Sequence, residues 1–313
     1  MTLPEDVAVI IRQAFVPIPD FEISLAEALK DPPPAIEPAV TVFCRSLVGN
    51  MSVASIPYTM VNQHVMGSHS QRIHTAERVR ALKNSELTEE ERERLARETR
   101  EIRFNAFLNS ADGQSVIVGD IVNELKQLLE ASELSAPFQE LLLETIVWGT
   151  FESFISDSIR SILNEHPTFA GVLLQSPEVK KLSSIKHVPI EELASRGFDM
   201  SRFMGDYIVD ELRFDSLPLM KASLGVLFPS AIELHAAFRD PEFWLLWQRR
   251  NLIVHKRGVV DESYLSKTSD TVELGTRLQA TGEYIEQIAR MLKDTAALYV
   301  AAARVELQHI QKP

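Results

Sequence analysis

The chain has 313 residues, 45% of them apolar, with 32 basic and 44 acidic side chains and a formal net charge of −12. That length and composition suit a soluble globular protein with one or two cores, and the acidic total excludes attraction to nucleic acid by the overall field. The single cysteine, Cys44, excludes an internal disulfide and reads as a small buried apolar residue in a reducing compartment.

At the N-terminus, MTLPEDVAVIIRQAF sets acids ahead of its apolar run and has no basic n-region, so no secretory signal is expected. The longest uncharged stretch, Ser46–Gln71, contains Asn50, Pro57, Asn62, Gln63 and His64 and is too polar for a membrane span. A cytoplasmic protein without a membrane partner is expected.

Helix signals dominate and no series of strands appears. Short helices are predicted at about 4–15 and 25–30, the second opened by a capping box of Ser24 and Glu27. The run DPPPAIEPAV, 31–40, reads as a stiff, extended linker. Val40–Val65, rich in Val, Ile and Thr, fits either a helix or a pair of strands. Thr88 with Glu91 is a second capping box, opening a helix to about Leu108. Its alternating charges (Glu89, Arg92, Glu93, Arg97, Glu101) mark a solvated face rather than a partner-binding arm. Asn109–Gly113 breaks that helix, and an amphipathic one follows from about Val116 to Ala131. His64, His69 and His74 recur every five residues, which scatters them by about 140° per step on a helix, whereas metal-binding pairs use i, i+4. No metal site is expected there.

A boundary is placed near residue 132, dividing a mostly helical N-terminal region of unknown role (1–132) from a C-terminal helical domain (133–313). Ser135 caps a long amphipathic helix that His166–Pro167 ends. Shorter helices are predicted at about 177–183, 190–196 (closed by Gly197), 201–212 and 216–228. Asp240–Pro241 is an N-cap followed by proline at the first helical position, and the helix it opens runs to about Lys256 with Gly258 as its stop. A last helix is predicted over about 272–311, loosened by Gly275 and Gly282. Trp148, Trp244 and Trp247, at helical spacing, are read as core rather than as a base-stacking platform. No Gly-rich phosphate loop, Ser-His-Asp order or Cys/His zinc spacing is present, so no cofactor is expected.

One constellation carries chemistry. Asn251 and His255 are four residues apart and share one face of the 241–256 helix, while Arg250 falls about 140° from His255. A long guanidinium can reach round, or a second copy of the helix can supply the missing part. Histidine moves protons near neutral pH, arginine binds phosphate in a fork, and asparagine can donate to a phosphoryl oxygen. With a ribose 2′-hydroxyl as internal nucleophile no metal is required. Arg249, Lys256 and Arg257 make this the one sharply local basic patch and are candidate RNA contacts. The plainer reading is that His255 caps the helix end, that Arg250 pairs with Glu152 or Asp261, and that the flanking charges are solvated.

The segment Arg250-Asn251-Leu252-Ile253-Val254-His255 resembles the motif of ribonuclease members of the HEPN superfamily (higher eukaryotes and prokaryotes nucleotide-binding domains): Arg, a polar residue, a few more residues, then His. The following KRGVVDESY, the helix LETIVWGTFESFISD with Phe151 and Glu152, and ELRFDSLPLMKASLGVLF are similar to the family's flanking elements. The likeness covers about 135–300. It implies an all-α fold with a C-terminal antiparallel bundle that dimerises, bringing two motifs into one cleft. It also implies metal-independent endoribonuclease activity, with Arg250, Asn251 and His255 catalytic and RNA as substrate, in toxin–antitoxin or antiviral defence with a cognate antitoxin or defence-system protein. Members without the chemistry only bind nucleotides, RNA or proteins.

Overall fold

The structure, a computed structural model, describes residues 15–131, 136–182, 188–212, 214 and 216–310. It is all-α, as expected, and among the described residues β pairing amounts to one isolated bridge, Val259 with Arg277. The helices are α1 (Phe21–Ala28), α2 (Glu37–Ala54), α3 (Ile56–Ala81), α4 (Glu89–Leu108), α5 (Ala111–Ala131), α6 (Ala136–Glu165), α7 (Thr168–Gln175), α8 (Pro177–Leu182), α9 (Ile190–Ser195), α10 (Met204–Leu212), α11 (Leu217–Leu227), α12 (Ile232–Arg239), α13 (Pro241–Lys256), α14 (Glu262–Lys267) and α15 (Gly282–Ile310). None of them is by itself long and apolar enough to cross a membrane.

The chain forms two compact units. The first is built on α3, α4 and α5. The Thr88 hydroxyl accepts from Glu91 N–H at 3.3 Å and Glu91 Oε2 accepts from Thr88 N–H at 2.8 Å, so the predicted capping box starts α4. His74 with Glu93 at 3.4 Å and Arg78 with Glu89 at 2.8 Å pair α3 with α4 in antiparallel sense. Val65, Ile117, Ile121 and Leu125 form the apolar centre, flanked by Phe107. His69 Nε2 lies 2.7 Å from Asp120 Oδ2 and its ring stacks on Phe107, so His69 and His74 serve packing and polar contacts within the bundle, while His64 is exposed.

The second unit collects α1, most of α2 and nearly all of the chain from α6 onward, with 281–283 grouped in the first unit. The passage from the first unit to the C-terminal part of the second falls at residue 139, and residues 18–52 also belong to the second unit. Its core is aromatic. Phe43 of α2 meets Phe151 and Phe154 of α6, Phe154 meets Tyr299 of α15, and Trp148 and Phe151 meet Phe243 of α13. Burying a side chain of this size is worth about 1.5–3 kcal/mol, so this cluster holds the long helices together. On α6 the buried positions Trp148, Phe151, Phe154, Ile155, Ile159 and Ile162 follow a helical repeat. Gly205 lets α10 approach α6: a Cβ there would sit 2.0 Å from the Arg160 carbonyl oxygen, and the Gly205 N–H donates to Asn164 Oδ1 at 2.7 Å.

Several elements differ from the sequence expectation. The 4–15 helix and Ser135 lie largely or wholly outside the described residues. The first described helix starts at Phe21, so Ser24 is not its cap; its hydroxyl accepts from Lys293 Nζ at 2.9 Å instead. The extended linker ends early. A 3-10 turn at Pro34–Ile36 leads directly into α2, because buried Ile36, Ala39 and Val40 draw this segment into the core. Val40–Val65 is helical on both sides of Ser55. The break after α4 narrows to Asn109–Ser110, α10 starts three residues late, and α7 and α12 were not predicted. Finally, 272–281 is not helix: Leu278 N–H donates to the Gly258 carbonyl and Val260 N–H to that of Thr276, both at 2.8 Å, and α15 begins at Gly282.

Candidate functional site

The site is built on α13. Asp240 caps it, its Oδ1 accepting from Glu242 N–H at 2.8 Å, with Pro241 at the first helical position, as predicted. Phe243, Leu246, Leu252 and Ile253 bury one side in the aromatic core. At the other end Arg257 rather than Gly258 takes the first left-handed conformation (φ 55°), and Gly258 continues it (φ 75°). Both N–H groups turn back to the Leu252 carbonyl, satisfying one of the helix's last acceptors. The pairing of 258–260 with 275–278 then holds the helix end in place, and Asp261 caps α14 through Tyr264 N–H at 2.8 Å.

The neighbours Arg249 and Arg250 have different fates. Arg249 is 7% exposed and turned inward. Its Nε and Nη2 donate to the two oxygens of fully buried Glu144 at 2.8 and 3.0 Å, Nη2 also donates to the Gln279 carbonyl at 2.8 Å, and its guanidinium lies 4.6 Å from the Tyr284 ring centre. Burial works against the Arg249 charge, but Glu144 outweighs it and holds the guanidinium above the ordinary arginine value. Burial likewise pushes the Glu144 carboxyl up, against the pull of Arg249. The expectation that Arg249 contacts RNA is therefore corrected: its donors are spent inside the unit, tying α13 to α6.

Arg250 stands at the edge of the solvent-facing strip with its side chain 19% exposed. Nη1 donates to Asn251 Oδ1 at 3.0 Å and Nη2 to Glu152 Oε2 at 3.4 Å, which is long for a hydrogen bond. Its Nε is buried without a hydrogen-bond partner. Glu152 also accepts from Trp148 Nε1 at 3.0 Å. Because Arg250 can only donate, it fixes the Asn251 carbonyl oxygen towards itself and turns the amide N–H groups outward. His255 lies one turn beyond Asn251, exposed, and among the described residues it makes no hydrogen bond or ion pair. Lys256 and Arg257 are exposed too.

Arg250 and Asn251 are thus brought together, and His255 shares the Asn251 face. Two hollows on the second unit, of about 710 and 500 Å³, are lined by other residues, among them Asn164 and Arg202 in one and Phe43 and Thr150 in the other. The three tryptophans part company. Trp148 is fully buried, as expected, but Trp244 and Trp247 are only partly buried, so reading them as core is corrected. The spacing of Trp247, Asn251 and His255 at i, i+4, i+8 was the available signal. Glu144, the Arg249 partner, had no local signal at all. In comparisons with family models, curated proteins and solved structures, nothing matches the chain.

Proposed function

We propose that the second unit is a metal-independent endoribonuclease of the HEPN type, completed by a second copy of the chain. The observation that carries this reading is the outer strip of α13: Arg250 and Asn251 bonded to each other, and His255 exposed one turn on. In the reaction the ribose 2′-oxygen loses its proton, bonds to the adjacent phosphorus and expels the 5′-oxygen, which gains a proton. The products are a 2′,3′-cyclic phosphate and a 5′-hydroxyl. His255 carries one of these protons. Arg250 stabilises charge building on the phosphoryl oxygens, and the outward amide of Asn251 positions them. Lys256 and Arg257 hold neighbouring phosphates. Arg250 and His255 diverge by about 140° around the helix, so a homodimer that sets two α13 helices together supplies a full set to each phosphate. The biological setting consistent with this chemistry is a toxin or antiviral defence effector held by a cognate antitoxin or defence protein.

A binding-only reading, in which the same strip holds RNA, nucleotide or a protein without cutting, is favoured by the Arg250–Glu152 contact, which partly occupies the guanidinium. Labelled RNA and matched DNA incubated with the protein in EDTA separate the two. RNA alone should be cut, leaving a cyclic phosphate, and His255→Ala should slow the reaction by roughly 10²–10⁴ without unfolding the protein. RNA that is bound and never cut, or DNA cut equally well, refutes the enzyme. Light scattering that shows a strict monomer with and without RNA removes the second copy from the scheme.

A further inference from the structure

Along the outer strip of α13 the motif is continuous with an aromatic pair. Trp247 is four residues before Asn251, about 6 Å along the axis, and Trp244 falls within about 20° of His255 around it. The Trp244 and Trp247 rings lie 5.0 Å apart between centres at 54°, both partly open to solvent. Trp244 is fixed by its edge, Nε1 donating to the Lys267 carbonyl at 2.8 Å, which leaves its ring orientation set before any ligand arrives. Lys221 Nζ stands 5.8 Å from the Trp244 ring centre. Burial, and then the neighbouring Arg239, both act against the charge on Lys221, so an anion placed there relieves a crowded pair of cations. Two ordered aromatic rings beside cations, next to a phosphate-directed motif, match what binds single-stranded nucleic acid: bases stack on the rings and the backbone follows the charges.

We propose that Trp244 and Trp247 form a base-stacking subsite for single-stranded RNA, with Lys221 neutralising a phosphate beside it. This rests on the reading of α13 as an RNA-directed helix, and it gives the site its preference: unpaired RNA, whose bases are free to leave the stack, over duplex. It also explains why two tryptophans on the motif helix stay at the surface while Trp148 fills the core.

The chain has three tryptophans, and only Trp148 is fully buried, so intrinsic fluorescence reports on the pair. The probe is a short 2′-O-methyl oligoadenylate, which cannot be cut because its 2′-oxygen is blocked, beside an abasic oligomer with the same phosphate count. The oligoadenylate should quench the fluorescence, while the abasic oligomer should bind roughly ten-fold or more weakly and leave the fluorescence unchanged. Trp247→Ala and Trp247→Phe should lose most and little of the affinity, respectively. Lys221→Ala should lower the salt slope by about one phosphate and keep the quench. Equal binding of the two oligomers by the wild-type protein overturns the proposal without any variant having to fold. A protein that discriminates the oligomers but never cuts natural RNA retains the subsite and loses only the enzyme. One that cuts RNA yet treats the oligomers alike retains the enzyme and loses the subsite.

Discussion

Arg249 and Arg250 are adjacent in sequence, and replacing them should have opposite consequences. Arg249→Met removes the partner of a carboxylate with no solvent exposure, cutting two hydrogen bonds to Glu144 and one to the Gln279 carbonyl. Breaking a buried ion pair by deleting one member costs about 3–5 kcal/mol, a large part of the roughly 5–15 kcal/mol that holds an ordinary domain folded. Removing both charges, in Glu144→Leu with Arg249→Met, takes away the stranded charge and should recover most of that loss. Arg250 instead makes one long contact to Glu152 and one hydrogen bond to its neighbour Asn251, with the Arg250 and Glu152 side chains about one-fifth exposed, so Arg250→Ala should cost about 1–2 kcal/mol, less than Arg249→Met, and under the proposed function should abolish cleavage. The assay is urea unfolding of wild type, the single variants and the double variant, beside RNA cleavage by each folded protein. A pH series adds a signed check. Without Arg249, the Glu144 carboxyl is pushed further above the ordinary glutamate value, so the folded state binds that proton more tightly than the unfolded one. Stability then falls as pH rises from the ordinary value towards the folded one, and the Arg249→Met deficit relative to wild type should be smaller at low pH than at high pH. A deficit below about 1 kcal/mol, a double variant no better than the single, or a deficit that shrinks as pH rises would refute the assignment of Arg249 as a buried brace.

Two further substitutions test the helix end and the α6–α10 crossing. Arg257→Gly relieves a left-handed backbone that costs a side-chain-bearing residue about 1–2 kcal/mol; it should therefore raise the urea midpoint while weakening RNA binding through the lost cation. Gly205→Ala forces a Cβ into the Arg160 carbonyl, and calorimetry should show a loss of about 1–3 kcal/mol with the proposed site on α13 intact.

What the sequence by itself determined about this protein is what neighbouring residues settle between themselves. Thr88 with Glu91 and Asp240 with Pro241 start α4 and α13 where read, since a cap needs only the next few N–H groups. The solvent strip carrying Asn251 and His255 follows from helical spacing alone. Tertiary structure decided the rest. Pro34–Val40 reads as a linker until Ile36 and Val40 find a core to enter, and 272–281 reads as helix until the backbone of 275–278 finds 258–260 to pair with. Arg249 belongs to the basic patch by sequence and to the interior by structure, because Glu144, the group that satisfies it, lies 105 positions away along the chain. Trp148 and Trp247 are the same residue type on amphipathic helices, and the packing of distant Phe243 against Trp148 helps decide which indole is covered. Local hydrogen bonds are encoded by adjacency, whereas burial depends on which distant surfaces meet, and it is burial that separates an arginine at the solvent edge from one enclosed as a brace.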